Sequence, residues 1–117
     1  MEEQNKVSIW IGSYDSNIGF KDLIKERFCE EGDLFSNFMN EFKIEFIDNQ
    51  FQEVLFSEEI ESSEQLFMDF SYSSKFIDKL PEKEWSNYNC VICLYNFAYS
   101  GSEVSSENME FLGIYDC

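Results

Sequence analysis

Histidine is absent from this 117-residue chain. Its absence removes the commonest general acid–base group and the commonest metal ligand together, which excludes serine triads and histidine-dependent nuclease chemistry. Proline occurs once and the five glycines stand apart, so there is no glycine-rich loop to cradle a phosphate. Basic residues are few, eight against 24 acidic ones, for a net charge of −16. A field of that sign repels nucleic-acid backbones and anionic lipid, and it attracts basic partners at a rate that falls as salt rises. Direct binding to nucleic acid or membrane is not expected. No apolar run approaches the ~20 residues of a membrane span, and the opening Met1 to Asn5 has neither a basic start nor a hydrophobic stretch. A cytoplasmic location is the expectation.

Four cysteines, Cys29, Cys90, Cys93 and Cys117, are too few and too irregular for a disulfide scaffold and suit a reducing compartment. Cys90 and Cys93 have the spacing of half a zinc knuckle or of a redox pair. Both chemistries need thiolates that converge from a turn or a helix start. The surrounding Asn89-to-Phe97 run is instead a strand, in which residues three apart point to opposite faces. The pair is therefore read as core. Carboxylate pairs of the kind used by glycosidases or magnesium sites carry no signal among 24 acids. Catalysis, cofactor and metal are accordingly not expected.

What the chain has in quantity is aromatic residues: 13 Phe, 6 Tyr and 2 Trp. They fill a core with few, large side chains. The length predicts one domain over residues 1–117 with one core. Cys90 to Phe97 is apolar at both parities, the pattern of a central strand covered on both faces. Lys6 to Gly12 alternates and predicts a first strand, with Val7, Ile9 and Ile11 on its apolar face and Trp10 on the other. Phe20, Leu23, Ile24 and Phe28 predict a helix capped by Asp15 or Ser16 and ending near Cys29. Ser36 caps a short helix through Phe38, Met39 and Phe42. Ile44 to Phe56 reads as two strands or one bent strand. Ser62 and Gln65 have capping-box spacing ahead of Leu66 and Phe67. Ser73 or Ser74 starts a further helix that Pro81 ends. Met109 to Tyr115 is a last strand, expected to pair antiparallel with the central one after a turn near Gly101. The order predicts an α+β fold, a mainly antiparallel sheet of about 4–5 strands with helices packed against it.

The charge is not evenly spread. Between Glu41 and Asp69 stand nine acids and one base, Lys43. Such a local excess is a candidate face for a basic protein or, equally, a solvated edge kept negative to prevent strand pairing. The residues proposed for partner binding are Glu45, Asp48, Glu53, Glu58, Glu59 and Glu61, together with Glu30, Glu31 and Asp33. A nucleic-acid mimic or regulatory module that engages host basic proteins is the alternative use of the same charge.

Several segments taken together resemble a known family. They are Trp10-Ile11-Gly12 at the end of the first strand, Phe42 to Asp48 leading to Phe51-Gln52-Glu53, and Phe70-Ser71-Tyr72-Ser73 with Phe76. Val91 to Tyr95 and Phe111 to Tyr115 complete the set. Their order over nearly the whole chain resembles that of immunity protein 22, a family of small bacterial proteins from polymorphic toxin systems. The resemblance implies a cytosolic antidote that binds and blocks a cognate toxin domain. Many such toxins are nucleases with basic clefts, which an acidic protein can occupy or flank. It brings no catalytic residues. Trp10, Gly12, Ser71 and Tyr72 match the motif and serve either the fold or the partner.

Overall fold

Val7, Ile9 and Ile11 alternate with Ser8 and Trp10, yet all five side chains are buried, because strand β1 (Glu2–Gly12) runs through the middle of a sheet. The computed structural model describes residues 1–117, the side chain of Asn49 excepted. Along the chain follow α1 (Asn17–Ile24), the two-residue strands β2 (Arg27–Phe28) and β3 (Leu34–Phe35), α2 (Asn37–Phe42) and β4 (Gln52–Phe56). Then come α3 (Ser63–Phe67), α4 (Ser73–Phe76), β5 (Cys90–Phe97) and β6 (Met109–Asp116). The main sheet has the order β4-β5-β1-β6 with every neighbouring pair antiparallel, and β2 pairs with β3 apart from it. The two most apolar strands take the two inner places, where both faces can be covered.

The expected hairpin between the last two strands does not form. β6 pairs with β1 from Lys6↔Asp116 to Gly12↔Met109 and has no ladder with β5. Both strands run antiparallel to β1 and so parallel to each other, and a parallel pair needs a crossover rather than a turn. Segment 98–108 is that crossover. It passes over one sheet face, where Tyr99 is buried against the Trp10 ring with centroids 5.2 Å apart. Ser8 Oγ donates to the Phe97 carbonyl at 2.7 Å and accepts from the Tyr99 N–H at 2.9 Å. The Tyr99 hydroxyl lies 2.9 Å from the carbonyls of both Phe42 and Glu103. At the far end Gly12 leaves room for the incoming strand: a Cβ there would stand 2.2 Å from Met109 Sδ and 2.3 Å from the Asn108 carbonyl.

The sheet separates two apolar clusters where one core was expected. On the first face Trp10, Ile92, Leu94 and Met109 meet Phe20 and Leu23 of α1, Phe38, Met39 and Phe42 of α2, and Ile44 and Ile47. On the second, Val7, Ile9, Ile11, Val91, Cys93 and Tyr95 meet Leu66 and Phe67 of α3, Phe70, and Phe76 of α4. Cys90 and Cys93 fall in different clusters, as strand geometry predicts. Burial pushes the Cys90 thiol up to about 12 and drives that of Cys93 well above its ordinary value.

Two of the caps read from sequence form hydrogen bonds, whereas Ser16 stands at the N-cap of α1 without a side-chain bond and Tyr72 occupies the N-cap of α4. Ser36 Oγ accepts from Met39 N–H at 3.2 Å and Ser62 Oγ from Gln65 N–H at 3.3 Å, while Gln65 Oε1 reaches back to Glu61 N–H. α4 passes into a 3-10 turn, Ile77–Lys79, and Leu80 is extended ahead of Pro81, as a residue before proline prefers. Two other expectations are corrected. The first helix stops at Ile24, and Phe28, placed on its apolar stripe, is 76% exposed in β2. Ile44 to Phe46 is not a strand: Ile44 and Ile47 are buried while Phe46 is 73% exposed.

Candidate functional site

β4 is short. It pairs with β5 only from Phe56↔Cys90 to Gln52↔Leu94, so Tyr95, Asn96 and Phe97 extend beyond it without a strand on that side. Here the ladder also loses its regularity on the β1 side. The register shifts between Glu2 and Val7, and Asn5 and Asn96 both adopt positive φ, 64° and 54°, a conformation that asparagine tolerates better than most residues. Asn5 N–H donates to Asn96 Oδ1 at 3.2 Å, which holds the two irregular points together.

Two cavities open at this end of the sheet and share Phe51, Tyr95 and Asn96. The first, about 530 Å³, lies between the end of β5 and the segment Lys43 to Asp48. Its apolar lining includes Ile44, Ile47, Leu94 and Phe97, all members of the Trp10 cluster, and its charged residues are Glu2, Glu45, Asp48 and Lys43. The one cationic side chain among the described lining residues is engaged, with Lys43 Nζ 3.1 Å from Glu103 Oε1, and three carboxylates outnumber the remaining cation, the amino terminus of Met1. The second cavity, about 620 Å³, reaches Glu53, Ser71, Tyr72 and Lys75. Glu53 Oε1 accepts from Ser71 N–H at 3.0 Å, and the Tyr95 hydroxyl donates to the Ser71 carbonyl at 2.7 Å. Burial, then the neighbouring Cys93 and Glu53, raises the Tyr95 phenol far above its ordinary value. Tyr72 is 60% exposed at φ 59°, with Lys75 Nζ 5.6 Å from its ring centre. Non-glycine residues held in the left-handed region recur at functional sites.

The proposed acidic residues are distributed unevenly around this cleft. Glu45 and Asp48 line the first cavity and Glu53 the second. Asp48 also shapes the approach to β4, since its Oδ1 accepts from Gln50 N–H at 3.0 Å. Glu58, Glu59 and Glu61 are exposed beyond the opposite end of β4, roughly 13 Å along the strand by ordinary strand rise. Glu30, Glu31 and Asp33 are exposed at the tip of the β2–β3 hairpin, where Gly32 turns the chain at φ 86°. The base of that hairpin abuts the cleft wall, because Leu34 and Ser36 share a small void with Phe46 and Ile47. The nine acids thus form three groups rather than one face.

Sequence reasoning missed Phe46, Phe51, Tyr95 and Asn96 as cleft residues. Phe46 stood in an apparent alternation, and only its place outside any strand turns it outward. The truncation of β4 could be suspected from the Asp48 to Gln50 interruption, but not the cavity it leaves.

Among the described residues no helix is long and apolar enough to cross a membrane. No curated protein and no solved structure matches the chain. The family model described as Immunity protein 22 matches residues 7–116, from the first buried residue of β1 to the end of β6. Immunity proteins neutralise a cognate toxin and are in general not catalysts. All the helices and the covered part of the main sheet lie within the match, and the chain belongs to the Immunity protein 22 family.

Proposed function

We propose that this chain is a cytosolic, non-catalytic antidote whose 1–117 span acts as one domain, and that the toxin it blocks presents a basic surface, as the substrate cleft of a nuclease does. The observation that carries this reading is the cleft at the open end of β5. It combines carboxylates, Glu2, Glu45 and Asp48, with exposed aromatic surface from Phe46 and Phe51. Aromatic anchors supply contact area at a protein interface, and complementary charge supplies orientation and speed of encounter. The net charge of −16 acts on a basic partner before contact. Glu58, Glu59 and Glu61 at one end, with Glu30, Glu31 and Asp33 at the hairpin, add to that long-range field. Glu45, Asp48 and Glu53 are placed for contact at short range.

The test is growth of cells that express the toxin domain encoded beside this gene, with and without this chain, followed by purification of the pair. Rescue with a stable complex is the expected result. A nuclease partner predicts that purified toxin degrades nucleic acid and stops doing so when the chain is added. Failure to rescue against an active toxin would end the reading for that pair. Comparable binding to several unrelated basic proteins would favour a nucleic-acid mimic or regulatory module, because an immunity protein discriminates among toxins.

A further inference from the structure

Resting on that reading, we infer that the toxin enters the first cavity with an extended, lysine- or arginine-bearing segment, laid beside the uncovered end of β5 and against the Lys43 to Asp48 wall. The groove has the form such an occupant needs. Its floor is apolar, from Ile44, Ile47, Leu94 and Phe97, and its acids are Glu2, Glu45 and Asp48. Lys43, the one cationic side chain among the described lining residues, is held by Glu103, and the three acids outnumber the amino terminus of Met1 at the same groove. A volume of about 530 Å³ falls within the ~300–1,000 Å³ of sites that enclose a drug-sized ligand, room for a short stretch of chain. The long stems of lysine and arginine cover apolar floor while their heads reach carboxylates at the rim. Phe46 and Phe51, 73% and 41% exposed, offer ring faces to such cations.

The shape favours an extended chain over a helix. One wall is a strand end, Tyr95 to Phe97, that has lost its neighbour because β4 begins only at Gln52, opposite Leu94. An open strand end beside a groove is the setting in which extended segments dock. A second copy of this chain is the wrong partner electrostatically, since each copy carries −16 and the groove would bring like charges together.

The experiment compares two charge changes of equal size by titrating inactivated cognate toxin at several salt concentrations. Glu45→Lys with Asp48→Lys alters the groove, and Glu58→Lys with Glu59→Lys alters the opposite end of β4. The groove pair is expected to weaken binding about 100-fold or more, largely through faster dissociation, and the distal pair at most about tenfold, through slower association that high salt abolishes. Because Asp48 also holds a turn, Glu45→Gln with Asp48→Asn is run in parallel. It keeps that acceptor and is expected to fold with an unchanged melting curve yet still lose affinity. Equal losses from both charge pairs, or none from the groove pair, would overturn the inference. So would a wild-type chain that sediments as a dimer and becomes monomeric with the groove pair altered, which would assign the groove to a second copy. If the wild-type chain neutralises the toxin while the groove variants do so equally well, the antidote reading stands and only the groove assignment falls. If the wild-type chain does not bind, the antidote reading fails for that pair and the groove assignment with it.

Discussion

On the first face of the sheet the aromatic hub is Trp10, a residue of β1 itself, with ring centres 5.0 Å from Phe38, 5.8 Å from Phe42, 5.2 Å from Tyr99 and 5.0 Å from Phe111. On the second face the hub is Phe67, a residue of the covering helix α3, 5.9 Å from Phe70 and Phe76 and 6.0 Å from Trp85. A hub planted in the sheet ties α2, the 98–108 crossover and β6 to one side chain. A hub planted in the cover mainly gathers its own cover. The first face also bears a polar tie, Ser8, inside its apolar layer, bonded twice to the chain that leaves β5, whereas the second face has a single bond from the Tyr95 hydroxyl to the Ser71 carbonyl and caps at its margin such as Ser62. Loss of the first hub should therefore unfasten several elements together, and loss of the second should be felt more locally.

The sharpest way to break the comparison is at the hubs. Trp10→Ala is expected to cost about 5 kcal/mol and Phe67→Ala about 3–4 kcal/mol, both in the range for aromatic-to-alanine changes in a core. Urea unfolding checks the pair. A Phe67 variant more destabilised than the Trp10 variant would invert the ranking. Trp10 carries one offsetting feature: its buried indole N–H has no hydrogen-bond partner among the described residues, a deficit worth about 1–3 kcal/mol that truncation relieves. The expected order holds only if the four ring contacts outweigh that relief.

The polar ties come next. Ser8→Ala leaves both the Phe97 carbonyl and the Tyr99 N–H without their buried partner, a loss of about 2 kcal/mol. Ser62→Ala removes an exposed cap and should cost about 1 kcal/mol. Equal losses in thermal melts would show that the polar ties on the two faces do not differ as described.

Alkaline pH strains both faces at once. On the first, burial raises the Tyr99 phenol and pushes the Cys90 thiol from 9.0 up to about 12. On the second, the hydrogen bond to Glu110 and then burial push Tyr88 from 10.0 up to about 12, and burial raises Tyr115. The folded chain keeps protons that the unfolded chain has already lost, so this stability is whole below about pH 9 and drains away as pH rises toward about 12. Melting temperatures measured across that range should fall steadily. A flat profile would contradict the buried setting of these groups.

The smallest effect separates the faces by local opening. A thiol reagent should label exposed Cys29 at once, and Cys90 and Cys93 only through opening of the first and second face respectively. Faster labelling of Cys93 than of Cys90 is expected if the cover of the second face is the looser one, and the reverse order would count against that difference.

How legible each face was in the sequence follows the same division. The cover of the second face is built from local signals, Ser62 with Gln65 and the stop at Pro81, and these appear where sequence spacing puts them. The cover of the first face has one such local signal, the Ser36 cap of α2, but its crossover depends on contacts far apart in the chain. Ser8 binds a crossover 89 to 91 residues away, and nothing near Ser8 announces it. Trp10, on the face that alternation marks as less apolar, is fully buried for the same reason. The cleft is equally non-local, since the end of β5, the segment before β4 and Glu2 come together only after folding.

Residue spacing alone is enough to make a central strand apolar on both faces, to place the starts of the short helices, to point the cysteines apart and to reveal which family the chain resembles. Each follows from spacing within a few residues or from the order of motifs along the chain. Folding in three dimensions is what sets β1 between β5 and β6, makes Trp10 a hub, and divides nine proposed acids into three groups with Glu45 and Asp48 at a groove. Side-chain alternation states that a face is buried but not against what, and a count of charges along a chain carries no distance between them. Those quantities exist only once strands have chosen their neighbours.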